Sequence, residues 1–130
     1  MTTTKGFERL EVYRLAETLA DSIWDVVVLW DFFARDTVGK QMVRAAEADS
    51  VGANIAEGAG RGTYQDNRRF VRMARGSLNE TRHWLRRAFR RGLLGQKQVS
   101  ALKPLLDELA LRLNAYLRSI GPRSPQAVDK

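Results

Sequence analysis

The sequence has no cysteine and a single histidine, His83, among its 130 residues. Without cysteine, a disulfide scaffold, a cysteine zinc site and a cysteine nucleophile are all excluded. One histidine also excludes a metal cluster built from several imidazoles. We therefore expect neither a metal nor another cofactor.

Proline and long apolar runs are also scarce. Only three prolines occur, two of them after Gly121, so the interior of the chain is free to be helical. No apolar run approaches the roughly 18 residues of a membrane span, and the first residues lack the pattern of a signal peptide. We expect a soluble, cytoplasmic protein that does not interact with membranes.

Charge is distributed unevenly along the chain. The formal net charge is +7, but residues 1–60 carry 6 basic and 10 acidic residues, whereas residues 61–130 carry 16 and 5. Arginine accounts for 17 of the 22 basic residues. Because arginine suits bidentate contacts to phosphate or carboxylate, the second half of the chain is a candidate anion-binding region.

Apolar residues recur at helical spacing in four blocks separated by glycines. They predict an all-α protein, an up-and-down antiparallel four-helix bundle over residues 9–121. Pro104 lies in the fourth block and predicts either a bend or a later helix start. The predicted helices are 9–30, 36–57, 64–91 and 97–119, with an N-terminal arm at 1–8 and a disordered tail at 122–130.

The third predicted helix carries the most specific pattern. At 100° per residue, its line of basic side chains stays within about 40° of one direction. Residues 64–91 contain nine arginines and two acidic residues, so acids of the same helix can neutralise little of its positive charge. The aligned residues are Arg68, Arg72, Arg75, Asn79, Arg82, Arg86 and Arg90, and the residues expected in the core are Phe70, Met73, Ala74, Ser77, Leu78, Thr81, Trp84, Leu85 and Ala88.

Two interpretations of this line remain open. It can bind the phosphates of RNA or DNA, or it can be a solvated face or one neutralised by acids of another helix, subunit or partner protein. The acidic residues of the first helix, such as Glu11, Glu17, Asp21 and Asp25, fit the second interpretation. The candidate nucleic-acid-binding residues are Arg61, Arg68, Arg72, Arg75, Arg82, Arg86, Arg87 and Arg90.

The segment Asn54–Gly62 is rich in glycine, but no strand precedes it and no Lys-Ser/Thr follows, so it predicts no phosphate loop. It instead predicts a helix end and tight turn, with Asn54 and Glu57 bonding backbone groups. An acid/base pair could be formed by Glu57 with Glu80 or Asp66, but no nucleophile or metal ligand accompanies them. We therefore predict no catalytic residue and no enzyme activity.

The stretches FERLEVYRLA, NIAEGAGRGTYQDNRRFVRMARGSLNET and LNAYLRSIG resemble the four-helix-bundle family of 23S rRNA-intervening sequence proteins, over roughly residues 7–121. The resemblance implies a homopentameric ring without catalytic residues. It places Asn54, Glu57, Gly58 and Arg61 at the corner between the second and third helices, and Gly60 belongs to the same structural motif.

The resemblance further implies that Gly76 and Ser77 lie at a close helix contact. The family is also similar to the accessory variability proteins of diversity-generating retroelements, which are basic pentameric barrels that bind nucleic acid and a reverse transcriptase. A reverse transcriptase is therefore a further expected partner.

Overall fold

A computed structural model describes residues 6–45 and 48–122, and no β-strand occurs in these ranges. The all-α prediction is confirmed. The N-terminal arm lies outside the described residues as far as residue 5, and the predicted tail does so from residue 123. A 3₁₀-helix, Gly6–Arg9, precedes five α-helices: α1 Glu11–Val27, α2 Phe32–Ala34, α3 Ala48–Ala59, α4 Tyr64–Arg90 and α5 Gln96–Ser119.

The four long helices share one apolar core. Helix α1 packs against α3 and α5, and α4 packs against the same two helices. Each contributes aliphatic side chains at helical spacing, which is how amphipathic helices remove one face from water. The largest fully buried apolar side chains are Leu19, Ile23, Met42, Val51, Ile55, Val71, Leu78, Leu109 and Leu113.

The buried face of α4 has a heptad pattern. Its inward positions alternate by three and four residues and are filled by Val71, Ala74, Leu78, Thr81, Leu85 and Ala88. The buried face of α4 differs from the predicted core face. Met73 is 47% exposed, and Phe70 and Trp84 are only partly buried. The helix is covered from two sides, by α3 and α5, and the α5 contact shifts its buried face toward Val71.

The region predicted as one helix over 36–57 is divided. Helix α2 begins earlier, at Phe32, because the Asp31 side chain accepts a 3.0 Å hydrogen bond from the amide of Ala34. Two π-helical segments follow, Arg35–Gly39 and Gln41–Ala45, before α3. The Thr37 hydroxyl donates to the carbonyl of Phe33 at 2.7 Å, the acceptor that the Thr37 amide would use in an α-helix.

Helix α5 continues through Pro104 without an interruption in its helical assignment. Proline lacks the amide that would bond the carbonyl of Ser100, and Ser100 is exposed, so water can reach that carbonyl. At the start of α5, the Gln98 side chain accepts a hydrogen bond from the amide of Gly95. The helix therefore begins at Gln96 and bears side chains opposite nearly the whole of α4.

Candidate nucleic-acid interface

Helix α4 is a rod of 27 residues, about 40 Å long at 1.5 Å per residue. The Thr63 hydroxyl caps its start by accepting from the amide of Asp66 at 3.1 Å. Its end is closed at Gly92, which has a φ of 77°, where the amide of Leu93 donates to the carbonyl of Ala88 at 2.9 Å. Both ends are thus fixed, and the arginines between them keep a defined direction.

The predicted arginine line divides into two rows with different environments. Arg68, Arg75 and Arg82, seven residues apart, face α5 and form the inner row. Arg68 donates to the backbone carbonyl of Ile120 at 2.9 Å, and Arg75 donates to Oδ1 of Asn114 at 3.2 Å. These guanidinium groups join the two helices along their length, so the inner row has a structural role within the chain.

Arg82 makes the most extensive of these contacts. It donates to the carbonyl of Leu106 at 3.2 Å and to the carboxylate of Asp107 at 3.3 Å, and Lys103 binds the same carboxylate at 3.1 Å. The hydrogen bond from Lys103, together with that from Arg82, lowers the pKa of Asp107. Asp107 therefore remains ionised and neutralises part of the charge beside α4.

The outer arginines, Arg72, Arg86 and Arg90, are exposed. None of them forms a hydrogen bond or ion pair with another residue in the described ranges. They span eighteen residues of helix, about 27 Å, which corresponds to about eight base pairs at 3.4 Å per step. Arg87, partly buried, also lacks such a partner among the described residues. Within the predicted arginine line, the outer arginines are therefore the exposed cations that have no partner among the described residues.

Arg61 has a different role from these residues. Its guanidinium group forms an ion pair with Glu57 at 3.2 Å, lies 4.0 Å from the carboxylate of Asp66, and lies 4.8 Å from the ring centre of Phe70. Glu57 thus bonds a side chain in the corner rather than the predicted backbone group. Arg61 is already engaged in holding the corner together.

Gly58 is required by close packing at this corner rather than by the end of α3, which extends to Ala59. A methyl group on Gly58 would lie 2.7 Å from Oδ1 of Asn67 and 2.9 Å from Cβ of Phe70. On Gly60 it would make only ordinary contacts. The corner therefore depends on Gly58.

The contact between α3 and α4 is polar at one point. The Ser77 hydroxyl of α4 donates to the Ser50 hydroxyl of α3 at 3.0 Å. Asn54, one turn before Gly58, donates its side-chain amide to the backbone carbonyl of Ser50 at 2.9 Å. Ser77 thus lies at a close helix contact. Gly76 does not, because it is exposed and a methyl group there would meet no heavy atom within 4 Å.

Sequence reasoning missed the residues of α5 that face the arginines. Asn114, Asp107 and Lys103 are 21 to 39 residues away from their α4 neighbours, so no local spacing predicts these pairs. The one available signal was the seven-residue interval of Arg68, Arg75 and Arg82, which places them beside the buried heptad positions.

The profile of the 23S rRNA-intervening sequence protein family matches residues 8–115 of this chain. The chain belongs to that family. The matched range contains α1 to α4 and most of α5, and so includes both arginine rows and the corner. No curated protein matches the sequence.

No membrane-spanning helix and no cluster of metal-ligand residues occurs in the described part of the chain. None of the described helices is both long enough and apolar enough to span a membrane. The same residues include no group of three or more histidine, aspartate or glutamate side chains placed to hold a metal ion.

Proposed function

We propose that this chain is a non-enzymatic accessory protein that binds RNA or DNA through the phosphates. The observation that carries the proposal is the row of exposed outer arginines, which lack partners among the described residues on one face of a capped helix. Unpaired guanidinium groups bind phosphate without first breaking an internal ion pair. Such binding is largely independent of sequence and weakens steeply with salt.

The family supports this proposal in general terms, since its description refers to 23S rRNA. We further propose a reverse transcriptase as a protein partner, on the expectation that the family is similar to the accessory variability proteins of diversity-generating retroelements. In this proposal the chain contributes charge and shape, while any chemistry on the nucleic acid belongs to the partner.

We also propose that the helices form an up-and-down antiparallel bundle and that the bundle assembles as a homopentameric ring. Three apolar side chains between α1 and the π-helical segments support self-association: Leu29, Phe32 and Phe33 are 80%, 72% and 76% exposed. Clustered apolar exposure of this kind is typical of protein interfaces. A ring would repeat the outer arginines and turn weak phosphate contacts into strong binding through multivalency.

A second candidate function is a structural or protein-binding oligomer in which the arginines meet acids of a neighbouring subunit or partner. The exposed acids of α1, Glu17, Asp21 and Asp25, favour it, since none of them has an ion-pair partner in the described part of the chain. Glu11 is already paired with Arg112 of α5 at 2.8 Å.

The experiment compares the purified protein before and after a high-salt wash. We expect nucleic acid to co-purify, seen as a raised ratio of absorbance at 260 and 280 nm, and to be removed by salt. Light scattering on the washed protein then gives the assembly mass. A washed protein that keeps its mass but binds neither RNA nor DNA at low salt would contradict the proposal and favour the second candidate.

A further inference from the structure

A groove of about 430 Å³ lies between the C-terminal half of α4 and the N-terminal half of α5. Its volume falls within the range of small-molecule binding sites. Most of its lining is apolar, and Phe89 contributes an aromatic ring that is 43% exposed. The aliphatic lining residues are Leu85, Leu94, Val99, Leu102 and Leu106.

Three cations line the same groove: Arg82, Arg86 and Lys103. Arg82 and Lys103 share the carboxylate of Asp107, whereas Arg86 has no partner among the described residues. Three positive charges against one negative charge leave the rim cationic. The groove therefore fits a ligand that joins a flat apolar group to an anionic one.

We propose that this groove binds an unstacked base of single-stranded RNA or DNA while Arg86 and Lys103 bind the adjacent phosphates. The inference rests on the proposed function and specifies its substrate class. The groove is continuous with the outer arginines, because Arg86 belongs to both and Arg90 follows one turn later, about 6 Å along the axis. A strand that follows those arginines passes the opening of the groove.

Phe89 specifies which kind of polynucleotide fits. It follows Arg82 by seven residues and so continues the inner row, but as a ring in the groove rather than a cation bonded to α5. Stacking on an aromatic side chain strengthens the binding of any base, because every base has a π-face. A duplex keeps its bases paired inside, so only a single strand can use this contact.

The test measures the affinity of the full chain for a 12-nucleotide single strand and for the duplex of the same sequence. We expect the single strand to bind on the order of tenfold more tightly at matched salt. Replacing Phe89 with leucine keeps the lining apolar but removes the stacking surface. The variant should lose that preference and retain duplex affinity. Tyr64→Leu is the matched control, since it replaces a 54% exposed aromatic residue on the same helix outside the groove.

A 2-aminopurine base in the single strand reports on stacking directly. Its emission should change when the wild-type protein binds and change less with Phe89→Leu. Equal binding of single strand and duplex, unaffected by Phe89→Leu, would overturn the base site while leaving phosphate binding intact. Absence of binding to either nucleic acid would instead reject the proposed function. Equal loss of single-strand affinity in both leucine variants would also overturn the assignment to this groove.

Discussion

Glutamine in place of the three outer arginines, Arg72, Arg86 and Arg90, lowers the formal net charge from +7 to +4. Each phosphate contact contributes about 0.9 to the slope of log affinity against log salt on duplex DNA, and about 0.7 on a single strand. Losing three contacts per chain lowers the slope by about 2.7 on duplex DNA. Between about 50 and 200 mM salt, that slope difference changes the relative affinity about 40-fold.

The assay is fluorescence anisotropy of a labelled 20-base-pair duplex, titrated with protein at several salt concentrations. The free energy of unfolding should stay within about 0.5 kcal/mol of the wild-type value, because substitutions of exposed side chains that have no partner have small effects. The matched control replaces three exposed cations elsewhere, Arg35, Lys97 and Arg118, and removes the same charge. Two results would refute the assignment of phosphate binding to these residues. One is the same salt slope in wild type and in the outer-arginine variant, and the other is an equal decrease in slope in the control variant.

Three further predictions concern the framework that supports this surface. Arg68→Met removes the hydrogen bond to the carbonyl at the end of α5 and should lower the free energy of unfolding by about 1–2 kcal/mol in urea titrations; an unchanged midpoint would refute the inner-row role. Gly58→Ala should lower it by about 1–3 kcal/mol, because the added methyl group meets Asn67, whereas Gly62→Ala has open space and should not. Because the pKa of Asp107 is lowered in the folded state, its stabilising effect is present above pH 3.8 and is lost as the pH falls through the lowered value. Asp107→Asn should therefore lose less thermal stability than wild type as the pH is lowered. The same loss of melting temperature at low pH in both proteins would contradict the ion pairs of Asp107.

The site was only partly predictable from the sequence. Periodicity placed the arginines on one helix, because helical geometry fixes the direction of each side chain relative to its neighbours. It did not show that Arg75 and Arg82 bond α5 while Arg72 and Arg86 lack partners among the described residues. Arg68 and Arg86, about five turns apart, point in nearly the same direction around the helix axis, yet only Arg68 bonds the end of α5. The packing of α5 therefore determines which arginines have a partner.

The glycines show the same limitation. Sequence reasoning assigned Gly58 to a helix end and, by resemblance, Gly76 to a close contact. In the structure Gly58 is the close contact and Gly76 has open space around it. Glycine permits both a turn and a close approach, so its role depends on which atoms another helix brings near it.

The sequence by itself determined the all-α class, the approximate positions of α1, α4 and α5 and the concentration of positive charge on α4. These follow from local spacing and composition, which act through a few consecutive residues. The tertiary structure alone decided which arginines are used to hold α5, which carboxylate lies beside them, and that Phe89 and Arg86 line one groove. Those relations join residues far apart in the chain, and they arise only when two helices pack.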